Sequence, residues 1–242
     1  MNKTYLITGA TSDVGYELIQ TLNQNDAKFL LQGFSDFEKL KTFCKENNVD
    51  AEFFDVNLSS DEETDNFVEK IKEYSPTHFI HLPALRVINT KFKNFDEERF
   101  LMDINVQIMS AVKICKSIKP KMAKAKYGRV LFMATSYVLS NPPKNTAAYI
   151  MSKNAIVGLM KSLATDYAPN GVTVNSISPS MIETKFLAET SHIIVESAAA
   201  SHPMKRNATV KDVVPAMAFL LSDEAGYITG VNLPITGGSI IE

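Results

Sequence analysis

Strand-like and helix-like segments alternate from the start of this sequence, and that alternation restricts the possible folds more than any other feature. The apolar run 4–8 is typical of a buried strand, and residues 14–23 follow with the apolar spacing of an amphipathic helix. Later segments repeat this pair. Predicted strands cover 28–33, 50–55, 79–82, 129–133, 172–177 and 231–235. Predicted helices cover 36–47, a segment capped by Ser60, 96–116, 146–166 and 210–221.

The predicted strands are almost continuously apolar, as in KFLLQG at 28–33 and RVLFM at 129–133. Strands buried on both faces have this composition, which predicts a doubly wound parallel sheet with helices on both sides. No linker-like tract interrupts the pattern, so residues 1–242 are predicted to form a single domain. Only the segment Pro179–Pro203 departs from this alternation of strands and helices. A loop of that length after a strand end is typical of a ligand site.

Composition excludes several classes of protein. Hydrophobic residues make up 45% of the chain and charged residues 21%, which are ordinary globular values. A formal net charge of −2 gives no reason to expect nucleic acid or an anionic membrane as a partner. The two cysteines and four histidines form no ligand motif, so no metal site is predicted. No signal-peptide pattern and no apolar run of about 18 residues is present, and we expect a cytoplasmic protein.

The segment TGATSDVG, residues 8–15, joins the first predicted strand to the first predicted helix. Glycine permits a tight turn and close approach of the backbone to a phosphate, and the N-terminus of the following helix attracts a dianion. A plain strand-to-helix turn would have similar residues. The position between a strand and a helix favours the phosphate site.

A second motif is YIMSK, in which Tyr149 and Lys153 share one helix face. A lysine ammonium beside a phenol is expected to lower the tyrosine pKa below about 10, which suits proton transfer near neutral pH. The YxxxK pattern alone is common. Ser136 strengthens it, because it lies just past a strand end and 13 residues before the tyrosine. Thr135 is a rival hydroxyl, but the spacing favours Ser136.

With these motifs in this order, the chain resembles the short-chain dehydrogenase/reductases over essentially its whole length, and particularly their 3-oxoacyl-acyl-carrier-protein-reductase-like subgroup. Residues 8–15 resemble the family's TGxxxGxG turn, and 174–179 (VNSISP) resembles the strand before its nicotinamide loop. Residues 222–230 and 236–238 resemble its C-terminal signature. The resemblance implies a Rossmann-like fold. It also implies an NAD(P)(H)-dependent oxidoreductase that transfers a hydride between the nicotinamide and a carbonyl or hydroxyl carbon, most simply a ketoreductase.

The resemblance also implies site residues. Tyr149 would exchange the proton, Lys153 would assist it and bind the ribose, Ser136 would bind the substrate oxygen, and Asn105 would hold a water. The implied cofactor contacts lie in the turns after the predicted strands and on the tyrosine helix: Gly9, Thr11, Ser12, Asp13, Val14, Phe34, Ser35, Asp55, Val56, Leu82, Pro83, Ala84, Tyr149, Lys153, Pro179, Ile182 and Thr184.

Two departures from the family pattern matter. Asp13 stands where glycine is usual, and a carboxylate there is expected to repel the pyrophosphate, so that its removal would tighten cofactor binding. His81-Leu82-Pro83-Ala84 replaces the usual Asn-Asn-Ala-Gly, and side-chain hydrogen bonds are expected to be lost. These departures leave a non-catalytic dinucleotide sensor or scaffold open. An NAD-dependent alcohol or polyol dehydrogenase is the other alternative.

The end of the second strand favours NADP(H) slightly over NAD(H). Gly33 offers no carboxylate to a ribose hydroxyl, and Ser35 can donate to a phosphate, although Asp36 is close. The substrate is expected to be a small-molecule or carrier-bound carbonyl compound, with much of its pocket formed by residues 185–206. The basic run 119–129 is a possible docking face for an acidic carrier. Apolar excess in the helices 96–116 and 146–166, together with the resemblance, predicts a homotetramer.

Overall fold

The computed structural model describes residues 3–24 and 27–241, so that Met1, Asn2, Asn25, Asp26 and Glu242 of the predicted domain lie outside the described residues. Seven parallel strands form one sheet in the order β3-β2-β1-β4-β5-β6-β7. Their bounds are β1 Thr4–Thr8, β2 Lys28–Gly33, β3 Asp50–Asp55, β4 His78–His81, β5 Gly128–Met133, β6 Val172–Pro179 and β7 Asn232–Ile235.

Helices connect the strands as predicted, and several begin at the residues that favour a helix start. Ser12 and Ser60 accept hydrogen bonds from backbone N–H groups of the first turns of α1 and α3. Asp96 caps α4 in the same way. The helices are α1 Asp13–Leu22, α2 Phe37–Glu46, α3 Asp61–Ile71, α4 Glu97–Ile104, α5 Ser110–Ala125, α6 Ala147–Tyr167, α7 His192–Ser201 and α8 Val210–Leu221.

The sheet separates two hydrophobic cores, which explains why inner strands such as β1 and β2 are mostly apolar. Leu6 and Leu30 point to the core shared with α3, α5 and α6. Their neighbours Ile7 and Leu31 point to the core shared with α1, α2 and α8. Successive strand residues alternate between the two faces, so a strand covered on both sides needs apolar residues at every position.

Two predicted elements are wrong in detail. The helix predicted over 96–116 is interrupted by a π-turn at Asn105–Met109 and then continues to Ala125, with Pro120 inside it. The predicted loop Pro179–Pro203 contains a short turn at Lys185–Leu187 and the helix α7. The helix α7 has no buried residue, so the periodic apolar pattern that identifies a packed helix is missing from its sequence.

The strand order turns around at β1, since β2 and β3 lie on one side of it and β4 to β7 on the other. The connections leave opposite faces there, and a crevice opens at the carboxyl ends of β1 and β4. The glycine turn after β1 and the segment after β4 border this crevice. Within residues 3–24 and 27–241, no helix is long and apolar enough to cross a membrane.

Candidate active site

The YxxxK pair lies on α6 at the carboxyl edge of the sheet. Lys153 is buried, and its ammonium donates a 2.9 Å hydrogen bond to the carbonyl oxygen of Met133, the last residue of β5. Its Nζ is 5.9 Å from the ring centroid of Tyr149. The helix therefore places both side chains beside the end of one strand, as their spacing predicts.

The predicted effect of the lysine on the tyrosine is not what the structure shows. Burial raises the pKa of Tyr149 to about 12, opposed by a hydrogen bond with Thr135 and reinforced by the charge of Asp103. Burial also lowers the pKa of Lys153 to about 8, and the negative charge of Asp103 opposes that shift. Burial is the largest cause of the Tyr149 shift, because a phenolate loses its hydration there.

Two neighbouring hydroxyl residues, Thr135 and Ser136, are buried at the end of β5. A hydrogen bond with Thr135 lowers the pKa of Tyr149, against the larger effect of burial. Thr135 precedes the short turn Ser136–Val138 and is buried at the end of β5. Counting back from Tyr149 favours Ser136, and counting forward from the start of β5 favours Thr135. The choice of Ser136 as the residue that binds the substrate oxygen stays a prediction from the sequence.

The π-turn changes which residues of the α4–α5 segment reach the site. Asp103 and Gln107 share one face, and the Gln107 amide lies 2.8 Å from each oxygen of the carboxylate. Asp103 also accepts a bond from the backbone of Leu85 and acts on both Lys153 and Tyr149 through its charge. Asn105 lies between Asp103 and Gln107 in the sequence, at the start of the π-turn, and is half-buried. The water-holding role assigned to it from the sequence stays a prediction.

His81 retains side-chain hydrogen bonds at the end of β4, contrary to the expectation. Its Nε2 lies 2.8 Å from the carbonyl oxygen of Gln107 and its Nδ1 lies 2.7 Å from the hydroxyl of Thr8. A carbonyl can only accept, so Nε2 carries the proton and Nδ1 accepts from the threonine. Burial lowers the pKa of His81 to about 3, so the ring is neutral. It ties β1 and β4 to the π-turn.

The glycine turn fits a dinucleotide. Gly9 has φ +68°, and a Cβ there would lie 2.9 Å from the backbone nitrogen of Pro83. Its N–H donates to the side-chain oxygen of Gln32, whose amide donates to the carbonyl of Val56. Gln32 thus connects the turn to the end of β3. It was missed in the sequence because a buried glutamine at a strand end has no motif.

The other predicted cofactor residues also lie at this edge. The Ser12 hydroxyl donates to the carbonyl of Gly9 and accepts from the backbone N–H of Gly15, which caps α1. Beside it, Thr11 is half-buried and Val14 is buried. The remaining residues follow the ends of β2, β3, β4 and β6: exposed Phe34, Ser35 and Asp55, half-buried Val56, Pro83, Ala84, Ile182 and Thr184, and buried Leu82 and Pro179. The residues present are thus suited to a nicotinamide dinucleotide lying across the strand ends.

Comparison with known proteins identifies the family. A family model described as enoyl-(acyl carrier protein) reductase matches residues 9–239. The chain belongs to the short-chain dehydrogenase/reductases. It is an NAD(P)-dependent oxidoreductase that acts on hydroxyl or carbonyl groups, and the sensor alternative is set aside.

Relatives of this dehydrogenase/reductase cover nearly its whole length. It is 28% identical to the 3-oxoacyl-[acyl-carrier-protein] reductase FabG of Rickettsia prowazekii, over 99% of this chain and 97% of the relative. It is 30% identical to the oxidoreductase UcpA of Salmonella typhimurium, over 99% and 95%. A candidate NAD(P)-dependent gluconate 5-dehydrogenase of Beutenbergia cavernae, solved with bound NADP, has a TM-score of 0.90 and 26% identity over 98% and 96%.

A cleft opens beside the tyrosine of this dehydrogenase/reductase. Its walls come from residues 85–103 and 145–149, including Arg86, Arg99, Phe100 and Asp103. Residues 185–206, which are expected to form much of the substrate pocket, reach the mouth of this cleft, where Glu189 pairs with Arg86. Their C-terminal part, with His202, Met204 and Arg206, lines a second cavity together with Ser180 and Gly237.

The basic run lies at the wrong edge for delivering a substrate. The strands are parallel, so their carboxyl ends carry the tyrosine and their amino ends form the opposite edge. Lys124 and Lys126 lie where α5 ends and just before β5 begins at Gly128, which is that opposite edge. Arg129 is buried and binds the carbonyl of Ser222. Within one chain the run therefore lies on the edge of the sheet opposite to Tyr149.

Proposed function

We propose that this chain is an NADP(H)-preferring ketoreductase of the 3-oxoacyl type. The observation that carries the proposal is the convergence of Tyr149, Lys153 and Thr135 at the end of β5, next to a glycine turn suited to a dinucleotide. The similarity to 3-oxoacyl-[acyl-carrier-protein] reductases over nearly the full length supports the substrate class. A carrier-bound substrate is part of the same proposal.

In this mechanism the nicotinamide supplies or takes the hydride. Tyr149 gives its phenolic proton to the substrate oxygen during reduction and takes it back during oxidation. Thr135 donates to the same oxygen and orients the carbonyl. The Lys153 ammonium binds the cofactor ribose and stabilises the phenolate that Tyr149 becomes.

After donating its proton to the substrate, Tyr149 regains one through polar groups in the interior of the site. Asp103 helps keep Lys153 protonated, since its charge opposes the loss of that proton. The side-chain oxygen of Gln107 is buried without a hydrogen-bond partner among the described residues. It is suited to accept from a water between Lys153 and solvent, which is the role that the sequence assigned to Asn105.

The cofactor preference follows from the end of β2. Gly33 and the exposed residues Phe34 and Ser35 present no carboxylate to a ribose hydroxyl. The Asp36 carboxylate lies 2.8 Å from the Lys39 ammonium, and this exposed ion pair reduces its repulsion of an anion. A 2′-phosphate meets less repulsion there than an unpaired aspartate would cause.

One experiment tests both substrate class and cofactor. The absorbance of NADPH and of NADH is followed with a 3-oxoacyl thioester, and that of NADP⁺ and NAD⁺ with a polyol. We expect NADPH oxidation by the thioester to be fastest. At least tenfold tighter binding of NADH than of NADPH would contradict the cofactor preference, and turnover only of the polyol would contradict the substrate class.

A polyol or sugar-acid dehydrogenase remains the second candidate, because the cleft is polar near the tyrosine. Arg99, Asp103 and Asn145 line it and can hydrogen-bond several hydroxyl groups. The candidate gluconate 5-dehydrogenase among the similar structures points the same way.

We also propose a homotetramer located in the cytoplasm. Met102, Met109 and Met151, on the two long helical segments, are between 40% and 48% exposed, which supports helix faces that pack against another copy. Light scattering at micromolar concentration tests this, and a monomer mass would contradict it.

A further inference from the structure

Two residues that are 172 positions apart meet at the N-terminus of α1. Oδ2 of Asp13 accepts a 2.6 Å hydrogen bond from the backbone N–H of Lys185, and Oδ1 lies 3.4 Å from the Lys185 ammonium. Lys185 begins the short turn that directly follows Thr184, within the segment 180–206 that we name the substrate loop. The carboxylate therefore holds the first part of the substrate loop against the glycine turn.

The ammonium of Lys185 extends from this contact toward the ribose end of the site. Its Nζ lies 5.7 Å from the ring centroid of Tyr16, on α1. Its charge also reaches Asp36: the pKa of Asp36 is lowered first by the hydrogen bond from Lys39 and additionally by Lys185. The ammonium thus lies between the helix end that faces a pyrophosphate and the strand end that faces a ribose.

We propose that Asp13 and Lys185 form a clasp that closes the substrate loop over the cofactor and places the lysine ammonium against its phosphates. The inference rests on the dinucleotide site proposed above. It reverses the expectation from the sequence, in which Asp13 repels the pyrophosphate. The glycine turn, residues 8–15, contains no cation of its own, and the clasp brings one.

The charges favour this arrangement. The Asp13 side chain is 25% exposed and the Lys185 side chain 65%, so the lysine neutralises the carboxylate without being enclosed by it. An ammonium has three donors, and the contact with Asp13 leaves donors for a phosphate oxygen. Asp13 is accordingly a positioning residue, and Lys185 is the residue that contacts the cofactor.

Binding of NADPH and NADH to the full-length protein tests the clasp, by fluorescence titration at low and high salt. Lys185→Met is expected to weaken binding by roughly three- to tenfold at low salt, the effect of one charge-assisted contact, and by less at high salt. Lys70→Met, an exposed lysine on α3, is the matched control and should leave the affinity unchanged. Equal losses for both nucleotides assign the contact to the pyrophosphate, and a larger loss for NADPH assigns it to the 2′-phosphate.

The partner is tested in a double-mutant cycle. Asp13→Ala is expected to weaken binding by roughly two- to fivefold, and the double variant should bind about as Lys185→Met does, since coupled residues are not additive. Asp50→Asn, at the opposite end of the sheet, is the control. Tighter binding by Asp13→Ala, additive losses, or unchanged binding by Lys185→Met would each overturn the proposal.

Hydrogen exchange separates this inference from the proposed function. In the protein without cofactor, Asp13→Ala should speed amide exchange at 185–190, whereas Lys185→Met should not, because it keeps the backbone bond. Unchanged exchange in Asp13→Ala means that the clasp is absent. If the wild-type protein binds neither nucleotide, the proposed function fails, and the exchange result still decides whether the loop is held.

Discussion

His81 donates from Nε2 to the backbone carbonyl of Gln107 at 2.8 Å, and this contact joins the end of β4 to the π-turn that carries the polar residues of the site. The bond lies next to the Asp103–Gln107 contact on the same helical segment. The imidazole thereby holds in place the segment whose carboxylate acts on both Tyr149 and Lys153. This buried histidine therefore positions the segment and does not transfer a proton.

Stability should fall as the pH drops below the ordinary histidine range. Burial lowers the pKa of both His78 and His81 from 6.5 to about 3. Below pH 6.5 the unfolded chain therefore binds protons at these two rings, and the folded chain does not. The contribution of the two neutral rings to the free energy of unfolding is complete above pH 6.5. It is lost progressively toward pH 3, by up to about 1.4 kcal/mol per pH unit for each ring. Urea unfolding at several pH values measures it. His81→Asn should have a shallower slope than the wild type, and equal slopes would refute the assignment.

Tyr149→Phe should reduce turnover by about 10²–10⁴-fold, because it removes the proton donor and keeps the ring. Cofactor affinity should change little, since Lys153 and the glycine turn are untouched. Steady-state rates measure the loss of turnover, and nucleotide titration measures the cofactor affinity. A variant that keeps more than half of the wild-type rate would refute the catalytic role.

Thr135→Val should lower kcat by more than tenfold, because a donor to the substrate oxygen is lost at almost constant side-chain volume. Ser136→Ala, one residue along, is the matched comparison and should lower kcat by less than threefold, the loss of a hydroxyl outside the site. Kinetics of both variants decide between the neighbours. The reverse order of effects would restore the assignment made from sequence spacing.

Charge reversal at Lys124 and Lys126 should leave kcat/KM unchanged for a carrier-bound substrate and for a small analogue alike. Both lysines lie at the edge of the sheet opposite to Tyr149, so they cannot guide a carrier to the site. Rates with the two substrates at low salt provide the check. A selective loss with the carrier-bound substrate would show that docking does reach this face.

The sequence by itself determined the local structure and the main motifs. The strands 4–8, 28–33 and 50–55 and the helix 210–221 have the predicted bounds. A buried strand such as 4–8 or 28–33 and an amphipathic helix each impose a local pattern of apolar residues. The glycine turn was predicted because it needs residues at fixed offsets. The same reasoning placed Tyr149 and Lys153 on one helix face. All of these depend on neighbours within a few residues.

Only the tertiary structure decided which polar groups meet. The hydrogen bond between Thr135 and Tyr149 depends on the path of the loop before α6, and the contact between Asp103 and Gln107 depends on the π-turn at 105–109. The contact between Asp13 and Lys185 joins residues that are 172 positions apart and that the sheet brings together. Such contacts follow from strand order and from where buried polar groups find partners, and no local pattern of residue types encodes either one.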